Sequence, residues 1–299
     1  MTQTRRLLSG LINRQRPLNF EFDGKKFSGY QGDTLASALL ANGVQLMGRS
    51  FKYHRPRGPF TSGSEEPNAI VELREGARKE PNTRATTIEL YDDLIAKSQN
   101  RWPSLGFDMM AVNDLFSNFL TAGFYYKTFM WPAAFWEKLY EPIIRRAAGL
   151  GSASLEADPD CYDKGFLHCD LLIIGAGAAG LAAALVTGRA GLDVILADED
   201  FLIGGRLNQE SFSIDDQAGS AFAASTYEEL ASLPNVKIMK RTTVVGAFDH
   251  GIYGLVERVA DHLKVPADGQ PRQRLWRVYS QSALSVSYTH LRAHETRIH

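Results

Sequence analysis

Three glycines and one carboxylate carry the clearest chemical signal in this sequence. Gly175, Gly177 and Gly180 form a Gly-x-Gly-x-x-Gly pattern, which follows an apolar run and opens a run rich in Ala and Leu. A second apolar run, residues 194–197, ends at Asp198, roughly 20 residues after the first glycine, which is the spacing of a dinucleotide-binding βαβ unit. The pattern predicts a strand, a tight turn, a helix and a second strand, in that order.

Each residue of this stretch has a physical role in the prediction. Gly175 lets the chain leave the strand in a tight turn, and Gly177, which lacks a side chain, lets a pyrophosphate approach the backbone. Gly180 lets the helix pack closely on the sheet. The helix that begins near Ala178 directs unpaired N–H groups and its dipole toward phosphates. We expect Asp198 to accept both hydroxyls of an adenosine ribose and to repel a 2′-phosphate, which favours NAD or FAD over NADP.

Residues beyond the second strand extend the predicted site. Glu199 adds a second carboxylate, Gly205 belongs to a glycine pair that permits close approach, and Arg206 can reach a phosphate. Val244 or Val245 is predicted to contact the adenine ring, although core packing explains equally well whichever of them points inward. The opposing interpretation is a glycine-rich turn that binds nothing. The agreement of strand, turn, helix, strand and acid argues against it.

The composition limits the class of protein. The 299 residues suggest about two domains, and 44% hydrophobic with 22% charged residues is typical of a soluble globular chain. A net charge of −1 gives no indication of nucleic-acid or membrane-surface binding. The sequence has neither a signal-peptide core nor an apolar run long enough to span a membrane. The two cysteines, Cys161 and Cys169, favour a reduced, cytoplasmic protein over a disulfide scaffold.

The first hundred residues predict a small mixed domain. Residues 17–30 alternate between apolar and polar positions on either side of an Asp-Gly pair, which predicts a hairpin. Residues 35–41 predict a helix, and residues 68–73 and 86–90 predict further strands. Two strands followed by a helix are the opening of a β-grasp, ferredoxin-like domain, which we assign to residues 1–97. The predicted fold class is therefore α+β for this domain and α/β for the partial Rossmann-like FAD/NAD(P)-binding domain that follows.

The same domain lacks the residues that hold an iron–sulfur cluster. A plant-type [2Fe–2S] domain carries cysteine ligands in the loop after its first helix, whereas residues 1–160 contain no cysteine. We therefore expect a cluster-free β-grasp domain with a structural role.

A basic, aromatic loop follows the predicted helix at residues 48–58. It is an anion or flavin-phosphate contact or a subunit interface in one interpretation, and a solvated loop in the other, and the sequence favours neither. Its charged members are Arg49, Lys52, His54, Arg55 and Arg57, and its aromatic members are Phe51 and Tyr53.

Residues 98–165 are predicted to form an aromatic-rich helical connector. Spacings such as Phe116 with Leu120 and Phe135 with Leu139 suit helices packed against another surface. Two interpretations stay open, an inter-domain helical layer and a docking surface for another subunit, because aromatic residues are enriched at interface cores.

The end of the sequence departs from the pattern of the nucleotide-binding domain, which we assign to residues 166–278 and expect to be truncated. From residue 279 the sequence shows no continuation of a sheet, and we interpret residues 279–299 as a non-native tail. His294-Glu295 resembles the start of a zinc-protease helix, but three residues separate Glu295 from His299 where that motif has two. The two histidines then do not share a helix face, and we predict no metal site.

Several stretches, loops included, match one family over about residues 5–278. The sequence resembles the α subunits of heterotetrameric sarcosine oxidases. The matching stretches are residues 32–43, 48–58, 66–68, 80–84, 168–170 and 275–276, together with the glycine pattern.

The resemblance implies an activity and a set of partners. The family oxidises sarcosine with O₂ and water to glycine and hydrogen peroxide, and the methyl carbon leaves as formaldehyde or passes to tetrahydrofolate. The implied partners are β, γ and δ subunits, with FMN at the α–β interface and FAD in β. Folate handling belongs to a C-terminal half that this sequence lacks, and the resemblance implies no catalytic residue here.

The resemblance places NAD at the glycine pattern. Two alternatives stay open: an FAD-binding subunit of a related amine or opine dehydrogenase, and a non-catalytic assembly scaffold. The candidate cofactor-binding residues are Gly175, Gly177, Ala178, Ala179, Gly180, Asp198, Glu199, Gly205, Arg206, Val244 and Val245.

Overall fold

The chain forms two compact units, Met1–Pro159 and Asp160–His299. The structure is a computed structural model that describes residues 3, 5–7, 10–115, 117–118, 131–147, 151–209, 211, 213–214 and 216–286. Residues 98–159 of the predicted connector thus fall in the first unit. Among the described residues, the helices are all too short or too polar to cross a bilayer.

A five-stranded mixed sheet organises the first unit, in the order β2-β1-β7-β5-β6. Strands β1 and β7 run parallel, and the other neighbours run antiparallel. This order, with one helix packed on the sheet, is the arrangement expected of a β-grasp domain. The elements are β1 (Asn13–Phe22), β2 (Lys25–Gln31), α1 (Leu35–Ala41), β3 (Gly48–Arg49), β4 (Pro56–Arg57), β5 (Ile70–Leu73), β6 (Glu80–Arg84) and β7 (Leu94–Ser98).

Local signals explain the hairpin and the helix. Asp23 and Gly24 both adopt positive φ, at 50° and 76°, as a two-residue hairpin turn requires. The Thr34 side chain accepts the N–H of Ser37, and the Ser37 hydroxyl accepts the N–H of Thr34, which makes a capping box at the start of α1. Apolar side chains of α1, including Leu39, then join the buried core beneath the sheet.

The prediction of a strand at residues 86–90 was wrong. The N–H of Thr87 donates to the carbonyl of Arg84 in a turn, and the segment then pairs with the start of α1. The Leu35 N–H donates to the Ile88 carbonyl, and the Leu90 N–H donates to the Asp33 carbonyl. The alternating residues 86–90 therefore pair with the start of α1 and form no strand of their own. The strands on either side of this segment are β6 and β7.

The predicted helical connector is only partly helical: in its described part, short helices alternate with irregular segments, and its last residues, from Tyr162, belong to the first strand of the second unit. The short helices are 3₁₀ helices at Met109–Asp114 and Ala133–Phe135, a π-helical turn at Trp136–Tyr140 and α2 (Glu141–Ala147). Phe135 and Leu139 are both exposed, and Trp131 is 84% exposed. Phe116 and Leu120 lie outside the described residues.

The second unit is built on a six-stranded sheet in the order β12-β9-β8-β15-β14-β13. Strands β12, β9, β8 and β15 are parallel, and β14 and β13 are antiparallel additions. The elements are β8 (Tyr162–Ile174), α3 (Ala178–Arg189), β9 (Val194–Ala197), β10 (Ser213–Ile214), β11 (Gln217–Ala218), α4 (Gly219–Ser232), β12 (Val236–Met239), β13 (Thr242–Phe248), β14 (Ile252–Arg258) and β15 (Gln273–Ser285).

The six-stranded sheet is strongly curved. Only Lys240 and Arg241 separate β12 from β13, although these strands lie at opposite edges. A two-residue connection spans only about 10 Å, so the sheet must curve enough to bring the end of β12 close to the start of β13. Helices α3 and α4 pack on one face, and a second buried cluster, which includes Ile195, Leu255 and Val278, fills the fold of the other face.

The prediction that the sheet ends at residue 278 was wrong. Strand β15 continues to Ser285, and its last residues pair with β8 from Ser282 opposite Leu171 to Ser285 opposite Ile174. Gln281 to Leu284 are exposed, so backbone pairing forms this part of the strand without the apolar pattern on which the prediction relied. Residues 287–299, including His290, lie outside the described residues.

Candidate functional site

The glycine loop lies where β8 passes into α3. Strand β8 ends at Ile174, and Gly175 adopts a φ of 101°, a conformation that favours glycine. The Gly175 N–H still donates to the carbonyl of Ala197, across 2.8 Å, at the end of β9. The predicted strand, turn, helix and strand are all present, and β8, α3 and β9 form a parallel βαβ unit.

Helix α3 presents an open N-terminus. Gly177 is its N-cap, and no side chain caps the helix. The N–H groups of Ala178, Ala179 and Gly180 belong to the first turn, where a helix offers no internal acceptor. A Cβ atom placed on Gly177 meets nothing within 4 Å. Open space, free donors and the positive end of the helix dipole are the requirements of an anion site.

Gly180 has a packing role. A Cβ atom at this position would lie 1.9 Å from the carbonyl oxygen of Gly175, a distance that no structure tolerates. The helix therefore approaches the turn as closely as it does only because residue 180 has no side chain, as the sequence predicted.

Ala176 joins the glycine loop to two other segments. Its N–H donates to Oδ2 of Asp198 across 2.5 Å, and its carbonyl accepts the N–H of Gly204 across 3.0 Å. Gly205 lies beside the loop as well, because a Cβ atom on it would lie 3.5 Å from the Cα atom of Gly177. The two glycine stretches, which are separate in sequence, thus form one surface.

Asp198 and Glu199 occupy different environments. Oδ1 of Asp198 accepts the Asp200 N–H across 2.8 Å, so both oxygens of this carboxylate hold backbone donors. Burial raises the pKa of Asp198, and the nearby Glu199 charge raises it further, against the two hydrogen bonds, which lower it. Glu199 is half-buried, and in the described part of the chain its carboxylate has no hydrogen-bond or ion-pair partner.

The remaining candidate residues differ in their exposure and surroundings. Arg206 is exposed in the 3₁₀ helix Gly205–Asn208, next to the glycine loop. Val244 packs against the buried cluster in the fold of the sheet, whereas Val245 is exposed at an irregularity of β13. Backbone contacts bring other residues to the acids: the Thr242 N–H donates to the carbonyl of Asp198.

The sequence did not predict several residues that contact the glycine loop and Asp198. Asp200, Gly204 and Thr242 hold the site through backbone atoms, which leave no residue-type signature. The glycine pair at residues 204–205 was the one available signal. Across the described residues, no group of three or more His, Cys, Asp and Glu side chains is arranged to hold a metal ion.

Two family models match the chain, one in each unit. Residues 170–276 match FAD dependent oxidoreductases, and this range contains the glycine loop, Asp198 and Glu199. Residues 15–101 match a 2Fe-2S iron-sulfur cluster binding domain, which agrees with the ferredoxin-like sheet of the first unit. The matched range contains no cysteine.

Known proteins align along almost the entire chain. Sarcosine oxidase subunit alpha of Rhizobium meliloti (strain 1021) is 61% identical over 275 residues, which are 92% of this chain. The chain is a homologue of sarcosine oxidase subunit alpha. The alpha subunit from Corynebacterium sp. (strain U-96) is 32% identical over 94% of the chain. Both of these relatives are named as subunits of an oxidase.

The match covers only part of those alpha subunits. This chain spans 28% of the length of the Rhizobium alpha subunit and 25% of the Corynebacterium one. Among solved structures, L-proline dehydrogenase from P. horikoshii superposes with a TM-score of 0.54 over 92% of this chain and 41% of that protein. At 18% identity the superposition supports the fold alone.

Proposed function

We propose that the second unit binds the ADP half of a dinucleotide at the glycine loop. The observation that carries this proposal is the open N-terminus of α3. Three first-turn N–H groups, on Ala178, Ala179 and Gly180, lack acceptors within the helix, and the missing side chain of Gly177 leaves space beside them. A diphosphate supplies the oxygen acceptors and the negative charge that this end of a helix favours.

Asp198 and Glu199 have different roles in this proposal. Asp198 positions the loop, since its two oxygens hold the N–H groups of Ala176 and Asp200. Glu199 follows directly and its carboxylate has no partner among the described residues, so it is the better candidate to accept the ribose hydroxyls. Arg206 follows Gly205, which lies beside the glycine loop, and is therefore a candidate to support a phosphate. Val244, which packs against the core, is a weaker candidate adenine contact than the exposed Val245.

NAD is the first candidate ligand and FAD the second. The resemblance to sarcosine oxidase alpha subunits motivates NAD, and the match to FAD dependent oxidoreductases favours FAD. Both contain the ADP group that the loop fits, and either supplies hydride-transfer chemistry when bound. The Rossmann-like character of the unit is part of the same proposal.

The activity of the assembled enzyme follows from the family. We propose that the chain belongs to a cytoplasmic sarcosine oxidase, in which sarcosine, O₂ and water yield glycine, formaldehyde or methylene-tetrahydrofolate, and hydrogen peroxide. The other parts of that enzyme are β, γ and δ subunits carrying FMN and FAD, and a folate-handling region outside this sequence. We propose no catalytic residue in this chain.

The first unit is proposed to act as a scaffold without an iron–sulfur cluster. Cluster-binding domains of this type use four cysteine thiolates, and residues 15–101, which match such a domain, contain none. The residues therefore do not fit the group. Iron and acid-labile sulfide analysis of the purified chain tests this, and a stoichiometric amount of both would contradict it.

A nucleotide titration tests the central proposal. The 299-residue chain is titrated with NAD, FAD and ADP-ribose, and any nucleotide that co-purifies is released and weighed by mass spectrometry. We expect binding of at least one dinucleotide and competition by ADP-ribose. Absence of binding by all three contradicts the proposal. Separately, the chain alone is expected to yield no sarcosine-dependent peroxide, whereas the complex with its flavin-bearing partners does.

A further inference from the structure

The basic loop at residues 48–58 lies in the first unit and has a fixed conformation. Strands β3 and β4 form its two sides, with Gly48 opposite Arg57. The turn between them is closed by the Ser50 N–H, which donates to the Arg55 carbonyl across 2.9 Å, and by the His54 N–H, which donates to the Ser50 carbonyl across 3.1 Å. The charged side chains therefore project from an ordered turn.

Two buried contacts anchor the loop to the segment that follows β7. His54 is 2% exposed, and its Nδ1 lies 2.7 Å from Oδ2 of Asp108. The guanidinium of Arg49 donates twice to the carbonyl of Leu105, across 3.1 and 2.7 Å, and once to the carbonyl of His54. A mainly solvated loop has no need of such anchors, so their presence favours a loop whose side chains are positioned for contact.

A cavity of about 420 Å³ lies beneath this loop. Its walls combine cations with apolar surface, and no carboxylate is among the described residues that line it. The volume is within the range of about 300 to 1,000 Å³ typical of small-molecule sites. The lining residues that matter most are Arg49, Lys52, Arg55, Arg57, Asn68 and Phe51.

The charge around the cavity is only partly compensated: Nε of Arg49 lies 3.9 Å from Oδ2 of the buried Asp108, whereas the pairing of Arg55 is exposed. Arg55 pairs with Asp114 across 2.8 Å, but both side chains are about half exposed, so solvent weakens this pair. Lys52 and Arg55 both lie 4.9 Å from the centre of the Tyr53 ring, so both cations contact this aromatic side chain. In the described part of the chain, no carboxylate pairs with the Arg57 guanidinium. Cations that converge on one cavity repel each other until an anion enters.

We propose that this cavity binds the phosphate or diphosphate group of a small molecule. Guanidinium groups match the geometry of phosphate oxygens and form strong, charge-assisted hydrogen bonds with them. The Arg57 guanidinium and the Lys52 ammonium provide charge at the cavity, and Phe51 offers an apolar surface to the organic part of the ligand. The site is separate from the glycine loop and does not depend on the nucleotide proposal.

Hydrogen–deuterium exchange of the 299-residue chain with inorganic pyrophosphate tests the proposal. Peptides that cover residues 48–58 report this cavity, and peptides that cover residues 174–181 report the glycine loop, so each site succeeds or fails by itself. We expect saturable protection at residues 48–58. The double variant R57Q/K52Q should lose roughly tenfold or more in apparent affinity there, the equivalent of about 1.4 kcal/mol or more, because both cations are removed.

The matched control is the double variant K25Q/K26Q, which removes the same charge from exposed positions of β2. It should bind pyrophosphate at residues 48–58 as the unmodified chain does, and thermal unfolding should show that both double variants fold. Equal loss in both variants, or no protection at residues 48–58, overturns the proposal. Stronger protection by an acidic peptide than by pyrophosphate also overturns it, because the loop would then be a protein-docking surface.

Discussion

The N–H of Ala176 donates to Oδ2 of Asp198 across 2.5 Å and thereby joins the glycine loop to the end of the neighbouring strand. The other oxygen of the same carboxylate accepts the N–H of Asp200. One side chain thus fixes the bend before α3 and the turn after β9. An acid at this position is usually considered for its contact with ribose, but the geometry here gives Asp198 a positioning role.

Replacing Asp198 with Asn should destabilise the second unit and weaken nucleotide binding. The amide has one oxygen acceptor, and its NH₂ group would face a backbone donor in place of the second oxygen. We expect a loss of about 1–3 kcal/mol in the free energy of unfolding, because a buried donor is left unsatisfied. Urea unfolding measures the change, and D249N, at an exposed position, is the control. Equal stability of the two variants would contradict the positioning role.

The stability contribution of Asp198 should also depend on pH. Burial raises the pKa of Asp198 above its ordinary value of 3.8, so the folded state holds a proton at pH values where the unfolded state has released it. This contribution is complete below pH 3.8 and is lost as the pH rises through the folded-state pKa. Urea unfolding across this window should show stability falling with pH relative to D198N. A pH-independent difference would contradict the raised pKa.

Two glycine substitutions should separate folding from binding. G180A places a Cβ atom 1.9 Å from the Gly175 carbonyl oxygen, so we expect a loss of about 2 kcal/mol or more from the resulting strain. G177A meets no protein atom, and its φ of −75° suits alanine. It should change stability by about 1 kcal/mol or less, mainly through the weaker N-cap.

For dinucleotide binding, G177A is the informative variant. G177A fills the space beside the first-turn N–H groups and should reduce dinucleotide affinity by roughly tenfold or more, through the loss of phosphate contacts worth at least about 1.4 kcal/mol. The test is a titration of the folded G177A variant with NAD and FAD. Unchanged affinity would show that the ligand does not approach the loop at this residue.

The elements around the glycine loop were predictable where the signal is local. The strand before Gly175, the turn, the helix from Ala178 and the strand before Asp198 each depend on residues close in sequence, and all four are present. The roles of the two acids were not predictable, because they depend on which backbone N–H groups fold against residue 198. Such contacts leave no pattern in residue types.

In the fold, too, elements with local signals were predictable and others were not. The hairpin at Asp23-Gly24 and helix α1 follow from turn and capping chemistry. The strand predicted at residues 86–90 failed because an alternating pattern also suits a segment that pairs with a helix cap. The extension of β15 to Ser285 was not predicted for the opposite reason. Its exposed residues pair through backbone atoms, which carry no apolar signal.

Glu199 should determine the preference between NAD and NADP. Its carboxylate has no partner within the described residues, and it follows the loop-positioning Asp198 directly. E199Q should weaken NAD binding by roughly tenfold, the equivalent of about 1.4 kcal/mol, and should reduce the discrimination against the 2′-phosphate of NADP, because the repelling charge is gone. Parallel titrations with NAD and NADP measure both effects. If E199Q keeps both the NAD affinity and the discrimination against NADP, Asp198 and not Glu199 is the residue that accepts the ribose hydroxyls.

Glu66 organises a turn of the first unit in a similar way. Glu66 is 1% exposed, and four backbone N–H groups donate to its carboxylate. Those of Phe60 and Thr61 donate to Oε2, and those of Asn68 and Ala69 donate to Oε1. Burial acts to raise the pKa of Glu66, but the four hydrogen bonds outweigh it, and the pKa lies below its ordinary value of 4.5.

Replacing Glu66 with Gln should therefore lower the stability of the first unit by about 1–3 kcal/mol, because the amide NH₂ faces two of the four donors. The lowered pKa makes the carboxylate contribution complete above pH 4.5 and removes it as the pH falls through the folded-state value. The stability difference between the unmodified chain and E66Q should thus shrink on acidification. Urea unfolding at a series of pH values measures it, with E65Q, an exposed neighbour, as the control. A difference for E66Q no larger than that for E65Q at neutral pH would show that the four hydrogen bonds do not stabilise this turn.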